Sequence, residues 1–175
     1  MWAVVVGLDL CPFAAAPMSD DTVRFSLSRG ADLPEVLAEV LDEAEGMLAP
    51  GGPRTTLLVI PQDFEGGEGL VSFEDLLEAA AIAEALLAER GLSEALQIIA
   101  FHPDWQPEGA DADDPANATN RSPYPTLHLL RNADVDLAER THPDVAGIPD
   151  RNVTLLRELG LDAVAALTAP GAPSP

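Results

Sequence analysis

Three short apolar runs, TVRFSL (22–27), TTLLVI (55–60) and ALQIIAF (95–101), alternate with two long amphipathic stretches, and that alternation limits the chain's possible folds more than any other feature. In the first run Val23, Phe25 and Leu27 share one side and Thr22, Arg24 and Ser26 the other, the period of a strand with one wet face. The second and third are apolar throughout, as in strands buried on both faces, and Pro61 bounds the second. Between the first two, Asp32 and Glu35 form a capping box, followed by a helical stripe of Leu33, Val36, Leu37, Val40 and Leu41. Before the third, Ser72 is placed to cap a helix whose stripe of Phe73, Leu76, Leu77, Ala80 and Leu87 ends at Gly91. Strands joined by crossover helices favour parallel pairing. The expected fold is therefore α/β: a single small domain over residues 1–168, with a β-α-β-α-β core and additional C-terminal helices. The strands are expected at about 22–28, 55–60 and 95–101.

After the third run comes a loop of about twenty residues, long enough in a compact domain to be functional or disordered. Beyond it the pattern reads as short helices, TLHLLR, DVDLAER, RNVTLLREL ending at Gly160, and DAVAALT. The final residues 169–175, APGAPSP, are expected to form a flexible tail. The stretch WAVVVG near the N-terminus fits a fourth strand or a helix stub equally well.

Composition narrows the partners. The chain has 30 acidic and 9 basic residues, every basic one arginine, for a net charge of −21. Such a surface repels nucleic acid and anionic membrane. One cysteine rules out an internal disulfide or a four-cysteine zinc site. The apolar start is too short to span a membrane and lacks the basic flank of a signal peptide, so a cytoplasmic protein is expected. Oligomeric state is not encoded in any feature of this kind.

Against this acidic background, the segment 101–132 is unusual. It holds the sole tyrosine and two of the three histidines, and from Pro115 to Ala133 there is no carboxylate, although Arg121 and Arg131 lie there. His102 directly follows an apolar strand, and ligands of open α/β sheets gather beyond the carboxyl ends of strands. Ser122, Pro123 and Pro125 read as a helix start, whose free N–H groups beside Arg121 would suit a small anion. On a helix His128 and Arg131 would share a face. His102, Asp104 and His128 offer two imidazoles and a carboxylate, a donor set for a divalent metal such as zinc, manganese or ferrous iron. The competing reading is bland: His102 and His128 as satisfied core histidines, the arginines as partners of nearby carboxylates, and Asn117, Thr119 and Asn120 as internal ties of the loop. Cys11 sits in CPF, half of a dithiol motif whose second cysteine is replaced by Ala14; a buried small apolar group is the simpler reading. His-Pro-Asp occurs at 102–104 and 142–144 but lacks the basic helical flanks of a J-domain.

The blocks GLDLCPFA, FHPDWQ, TNRSPYPTLHLLR and IPDRN resemble those of a bacterial family, domain of unknown function 1415, from about residue 2 to 168. Asp9 stands where that family usually has asparagine, and Pro107-Glu108 replaces a more apolar pair. The resemblance implies no reaction. It places Cys11, His102, Asp104, Asn120, Arg121, Tyr124, His128 and Arg151 within the family's motif blocks.

Two functional classes follow. In one, an enzyme acts on a small phosphorylated or carboxylated molecule: Asn120, Arg121, Ser122, Arg131 and Arg151 bind the anion, His102 and His128 transfer protons, and Tyr124 donates a hydrogen bond. In the other, the protein is a non-catalytic ligand-sensing or protein-interaction module whose polar loop is structural. A pocket joining His102, Arg121 and His128 favours the enzyme; a loop whose polar groups satisfy one another favours the module.

Overall fold

The computed structural model describes residues 5–61 and 72–168. Residues 2–4 of the stretch WAVVVG and the tail 169–175 lie outside them. The described elements run α1 (Ala15–Ser19), β1 (Val23–Leu27), α2 (Leu33–Leu48), β2 (Thr55–Val59), α3 (Phe73–Glu89), β3 (Leu96–Phe101), a 3₁₀ helix (Pro115–Thr119), β4 (Thr126–Arg131), α4 (Asn132–Thr141), α5 (Ile148–Leu159) and α6 (Leu161–Thr168). The α/β class and the β-α-β-α-β order are those expected from the alternation.

The helix starts follow their sequence signals. Asp32 accepts from the Glu35 N–H at 3.0 Å while Glu35 reaches back to the Ala31 N–H at 2.8 Å. Ser72 accepts from the Asp75 N–H at 3.0 Å. Asp32 and Ser72 each satisfy a first-turn donor that the helix itself cannot, and Glu35 ties down the residue before the cap.

The sheet has the order β1-β2-β4-β3. β1 and β2 are parallel, and β4 is antiparallel to both β2 and β3, so β1, β2 and β3 all point the same way. The fourth strand corrects the expectation of a helix at TLHLLR. Pro123 and Pro125 hold the approach extended. The slot between β2 and β3 offers a full ladder on both sides. β3 is an outer strand, and ALQIIAF is not buried on both faces: Ile99, on the side away from α2 and α3, is 36% exposed.

This order decides which face is covered. The crossovers β1-α2-β2 and β2-α3-β3 step in the same direction across the sheet. Connections of one hand stepping in one direction place their helices on one face. Accordingly α2 and α3 share a core with Leu58, Ile60, Leu96, Ile98, Leu127 and Leu129. A second, smaller cluster joins Leu10, Ala118, Leu156 and Val164 and packs α5, α6 and the 3₁₀ helix together.

β1 is turned the other way from its expected sense. Arg24 and Ser28 face α2, bonding Glu43 at 3.2 Å and Glu39 at 2.5 Å. Phe25 and Leu27, expected inside, are 62% and 64% exposed.

Candidate functional site

The residues selected from sequence fall into two places on opposite faces of the sheet. Along β3 and its extension, Ile98, Ala100 and His102 alternate onto the helix-covered side. His102 is fully buried there, its ring 5.8 Å from that of Phe73 at the start of α3. His128 pairs in register with Leu57 on β2 and Ile99 on β3, which places it on the other face, 5.8 Å from the Phe101 ring. The pleat therefore separates His102 from His128, and the expected shared pocket does not form. The metal set His102, Asp104 and His128 fails for the same reason. Among the described residues no group of three or more histidine, cysteine, aspartate or glutamate side chains could hold a metal ion.

His102 works as the latch of the long loop. Its Nδ1 accepts from the Asp104 N–H at 3.0 Å, its own N–H donates to the Asn120 carbonyl at 3.3 Å, and its carbonyl accepts from Trp105 and Ser122. The Asp104 carboxylate stands 4.0 Å from Nδ1 and is largely in solvent.

The loop closes on itself. Arg121 donates through Nε to the Trp105 carbonyl at 3.1 Å and through Nη2 to the Ala112 carbonyl at 2.9 Å. Buried Asn117 donates to the Asp111 and Ala112 carbonyls. Asp114 caps the 3₁₀ helix and takes the guanidinium of Arg157 at 2.6 Å. The hydrogen bond from Arg157, with that from the Ala116 N–H, lowers the Asp114 carboxyl to about 2. The predicted helix start at 122–125 is instead a turn into β4, in which the hydroxyls of Ser122 and Thr126 both donate to the Tyr124 carbonyl at 2.6 and 2.9 Å. No helical N–H cluster faces Arg121, so the anion argument loses its geometric basis. The Tyr124 residue is 51% exposed.

Arg131 and Arg151 are ties as well. In a strand, His128 and Arg131 lie on opposite faces rather than one. Arg131 reaches back along the core side to the carbonyls of Met47 and Gly52. Arg151 holds the Asp9 carbonyl and carboxylate, beside Asn152, which donates to the Leu10 carbonyl at 2.7 Å. Cys11 is partly buried beside these contacts.

On the uncovered face lie Val23, Phe25 and Leu27 from β1, Thr55, Leu57 and Val59 from β2, Thr126, His128 and Leu130 from β4, and Gln97, Ile99 and Phe101 from β3. None carries a formal charge at neutral pH. Thr55 donates its single hydroxyl proton to the Leu129 carbonyl at 2.8 Å, so His128 Nε2, 2.6 Å from that hydroxyl, must be the donor to it. His128 Nδ1 is then a bare acceptor, buried and without a hydrogen-bond partner. Burial pushes this imidazole down to about 4, leaving it neutral. A groove of about 560 Å³ elsewhere, between α3, β3 and α4, is lined by Glu84, Leu87, Gln97, Asn132 and Asp136, and none of the sequence-selected residues borders it.

Sequence reasoning did not single out Thr55, Phe25, Leu27 and Ile99, which share a face with His128. The period-2 pattern of TVRFSL was the available signal for the β1 pair; its apolar side was assigned to the core.

The structure is thus an α/β domain with a self-braced polar loop and a second sheet face on which Phe25 and Leu27 stand in solvent while Leu57 and Thr126 are buried. Its residues 1–166 match the profile of a family described as protein of unknown function (DUF1415), and the chain belongs to that family. No curated protein and no solved structure matches it. Among the described residues no helix is long and apolar enough to cross a membrane.

Proposed function

We propose that this protein is a non-catalytic protein-interaction module that binds its partner on the uncovered face of the sheet, with the 102–125 loop as a structural brace. The observation that carries the reading is the exposure of Phe25 and Leu27, at 62% and 64%, side by side on the edge strand β1. A strand whose apolar side faces water is a recurrent mark of a binding surface. The loop supports the same reading, because the fork of Arg121 is already spent on two carbonyls. The acidic surface fits a cytoplasmic protein that binds neither nucleic acid nor anionic lipid.

The second reading is an enzyme acting on a small phosphorylated or carboxylated molecule, and the bare Nδ1 of His128 is the observation in its favour. It is a neutral base, buried in the sheet beside Thr55.

The two are separated by ligand and surface tests on the folded protein. The fluorescent dye 1-anilinonaphthalene-8-sulfonate should bind the wild type at neutral pH, and Phe25→Ser with Leu27→Ser should lose that signal while still unfolding cooperatively. Inorganic phosphate should leave the melting temperature unchanged. No dye binding to the folded wild type, together with a phosphate-dependent rise in melting temperature, would replace the module with the enzyme.

A further inference from the structure

We infer that the partner is a second copy of this chain, and that two copies pair antiparallel along the open edge of β1 with Phe25 at the centre; the assignment rests on the interaction-module reading. Its first support is where the exposure lies. On the face shared with Phe25 and Leu27, residues Thr55, Leu57 and Thr126 are at most 8% exposed, so the apolar surface in water belongs to the edge strand. A strand added beside β1 shelters that surface without anything laid over the whole face. The second support is the backbone. The Ser28 N–H donates to the Val59 carbonyl and the Thr22 carbonyl accepts from the Arg54 N–H, each at 2.8 Å. Both residues thus face β2, and the residues that alternate with them turn their N–H and C=O groups to the other edge. Val23, Phe25 and Leu27 therefore present theirs outward, where no described strand pairs with β1. Edge strands are ordinarily guarded by proline, a bulge or a charge in the way of pairing. β1 has no proline, its register with β2 is unbroken from Val23 to Leu27, and Arg24 is turned to Glu43 on α2.

Charge selects the occupant and the register. With Phe25 facing the partner's Phe25, Val23 faces the partner's Leu27 and Asp21 the partner's Arg29. All three outward-turned residues then exchange backbone bonds, and their apolar side chains form one cross-strand ladder. Each end of the ladder is closed by an aspartate opposite an arginine. Arg29 is exposed and makes no ion pair among the described residues, unlike Arg24, Arg54, Arg90, Arg151 and Arg157. Glu39 beside it already accepts from the Ser28 hydroxyl and the Arg29 N–H. At the other end of β1, Asp20 and Asp21 are both exposed. The edge is thus acidic at one end and basic at the other, which is complementary to itself when turned about a two-fold axis. Neighbouring registers lose this match. Centred on Arg24, the pairing would set two like charges against each other; centred on Ser26, it would set Arg29 against the partner's Val23. The net charge of −21 opposes approach from a distance, but salt screens it beyond about 8 Å at physiological ionic strength and leaves the contacts at the edge to decide.

The test is sedimentation of the full-length protein from about 1 µM to about 1 mM in about 0.15 M NaCl, with every variant first shown to unfold cooperatively. One short edge is a small interface, so the wild type should form a dimer with a dissociation constant of about 10–100 µM. Phe25→Pro removes an outward N–H while leaving the ladder to β2 intact, and should keep the protein monomeric throughout. Arg29→Asp sets aspartate against Asp21 at both ends and should weaken the dimer at least about ten-fold; Asp21→Arg should do the same. An equimolar mixture of these two variants restores opposite charges at both ends and should recover a dimer that neither forms alone. A dimer that persists in Phe25→Pro would place association on another surface and overturn the assignment. A wild-type dimer lost in Phe25→Pro but indifferent to both charge variants, or a mixture without recovery, would overturn the register centred on Phe25. A wild type that stays monomeric to about 1 mM yet binds the dye through Phe25 and Leu27 would overturn self-pairing and leave the interaction module with a different partner. A monomer that binds no dye would remove the interaction-module reading itself.

Discussion

On the helix side of the sheet Leu58, Leu127 and Leu129 are at most 1% exposed, while on the other side Phe25 and Leu27 are more than half in solvent. Both faces are apolar, and they differ because of connectivity. Two crossovers of one hand stepping in one direction spend both long helices on the same side. The later helices α5 and α6 then pack with the 3₁₀ helix around their own small core. The apolar side of an edge strand can thus be left in solvent even where its sequence reads as core. If that contrast is real, equivalent truncations on the two faces must have very different consequences.

The largest expected effect is on the covered face. Leu129→Ala should cost about 3–4 kcal/mol in urea unfolding, since it empties a fully buried site on the central strand β4. A loss under about 1 kcal/mol would mean that the core around β4 is loose and would erase the contrast.

His128 gives the next effect, because it sits where the uncovered face is best sheltered. Its imidazole is held down to about 4 from an ordinary value of 6.5 by burial. Between those values the unfolded chain binds a proton that the folded chain refuses, so stability must fall as pH drops from 6.5 toward 4. The full difference is about 3 kcal/mol. His128→Gln removes the titration while keeping a donor for Thr55, and should flatten the dependence in that window. A separate loss should appear at lower pH, from 3.8 down to about 2, where protonation of Asp114 releases Arg157. Identical pH profiles for His128→Gln and wild type above pH 4 would show that the imidazole is in contact with water.

The fold was legible where local signals agree with tertiary position, as with the caps of Asp32 and Ser72 and the run TTLLVI, buried except at Val59. It was not legible at TLHLLR. Six residues with apolar positions on both sides fit one turn-and-a-half of helix as well as a strand, and only the partners β2 and β3, distant in sequence, decide between them. The site depended on that one assignment. Read as a helix, the stretch puts His128 and Arg131 on one side and a ring of N–H groups beside Arg121; read as a strand, it sends His128 to the far face and leaves Arg121 to brace the loop. The exposure of Phe25 was hidden for a different reason: alternation shows that one side of β1 is apolar, not which side the helices take.

The loop brace should register as a smaller effect. Arg121→Ala removes two charged hydrogen bonds to carbonyls from a partly exposed side chain, and should lower stability by about 1–2 kcal/mol, read as a fall in melting temperature. Arg121→Lys should recover less than half, since an ammonium cannot span the two carbonyls as the guanidinium fork does. Unchanged stability in Arg121→Ala would free this residue for ligand work and would reopen the anion-binding reading.

The smallest expected change in stability is the most informative about the uncovered face. Phe25→Ser with Leu27→Ser lies on the same sheet as Leu129→Ala and removes a larger apolar volume. Both side chains are more than 60% exposed, so little of their transfer free energy is realised in the isolated fold. Serine also has lower strand preference than either residue, a penalty of a few tenths of a kcal/mol. The net cost should stay within about 0.5 kcal/mol in urea unfolding, with an unchanged slope against denaturant, because the surface exposed on unfolding hardly changes. A loss of 2 kcal/mol or more would mean that Phe25 and Leu27 are buried by the chain in solution. The face would then be closed by the protein itself, and the difference between the two sides of the sheet would disappear.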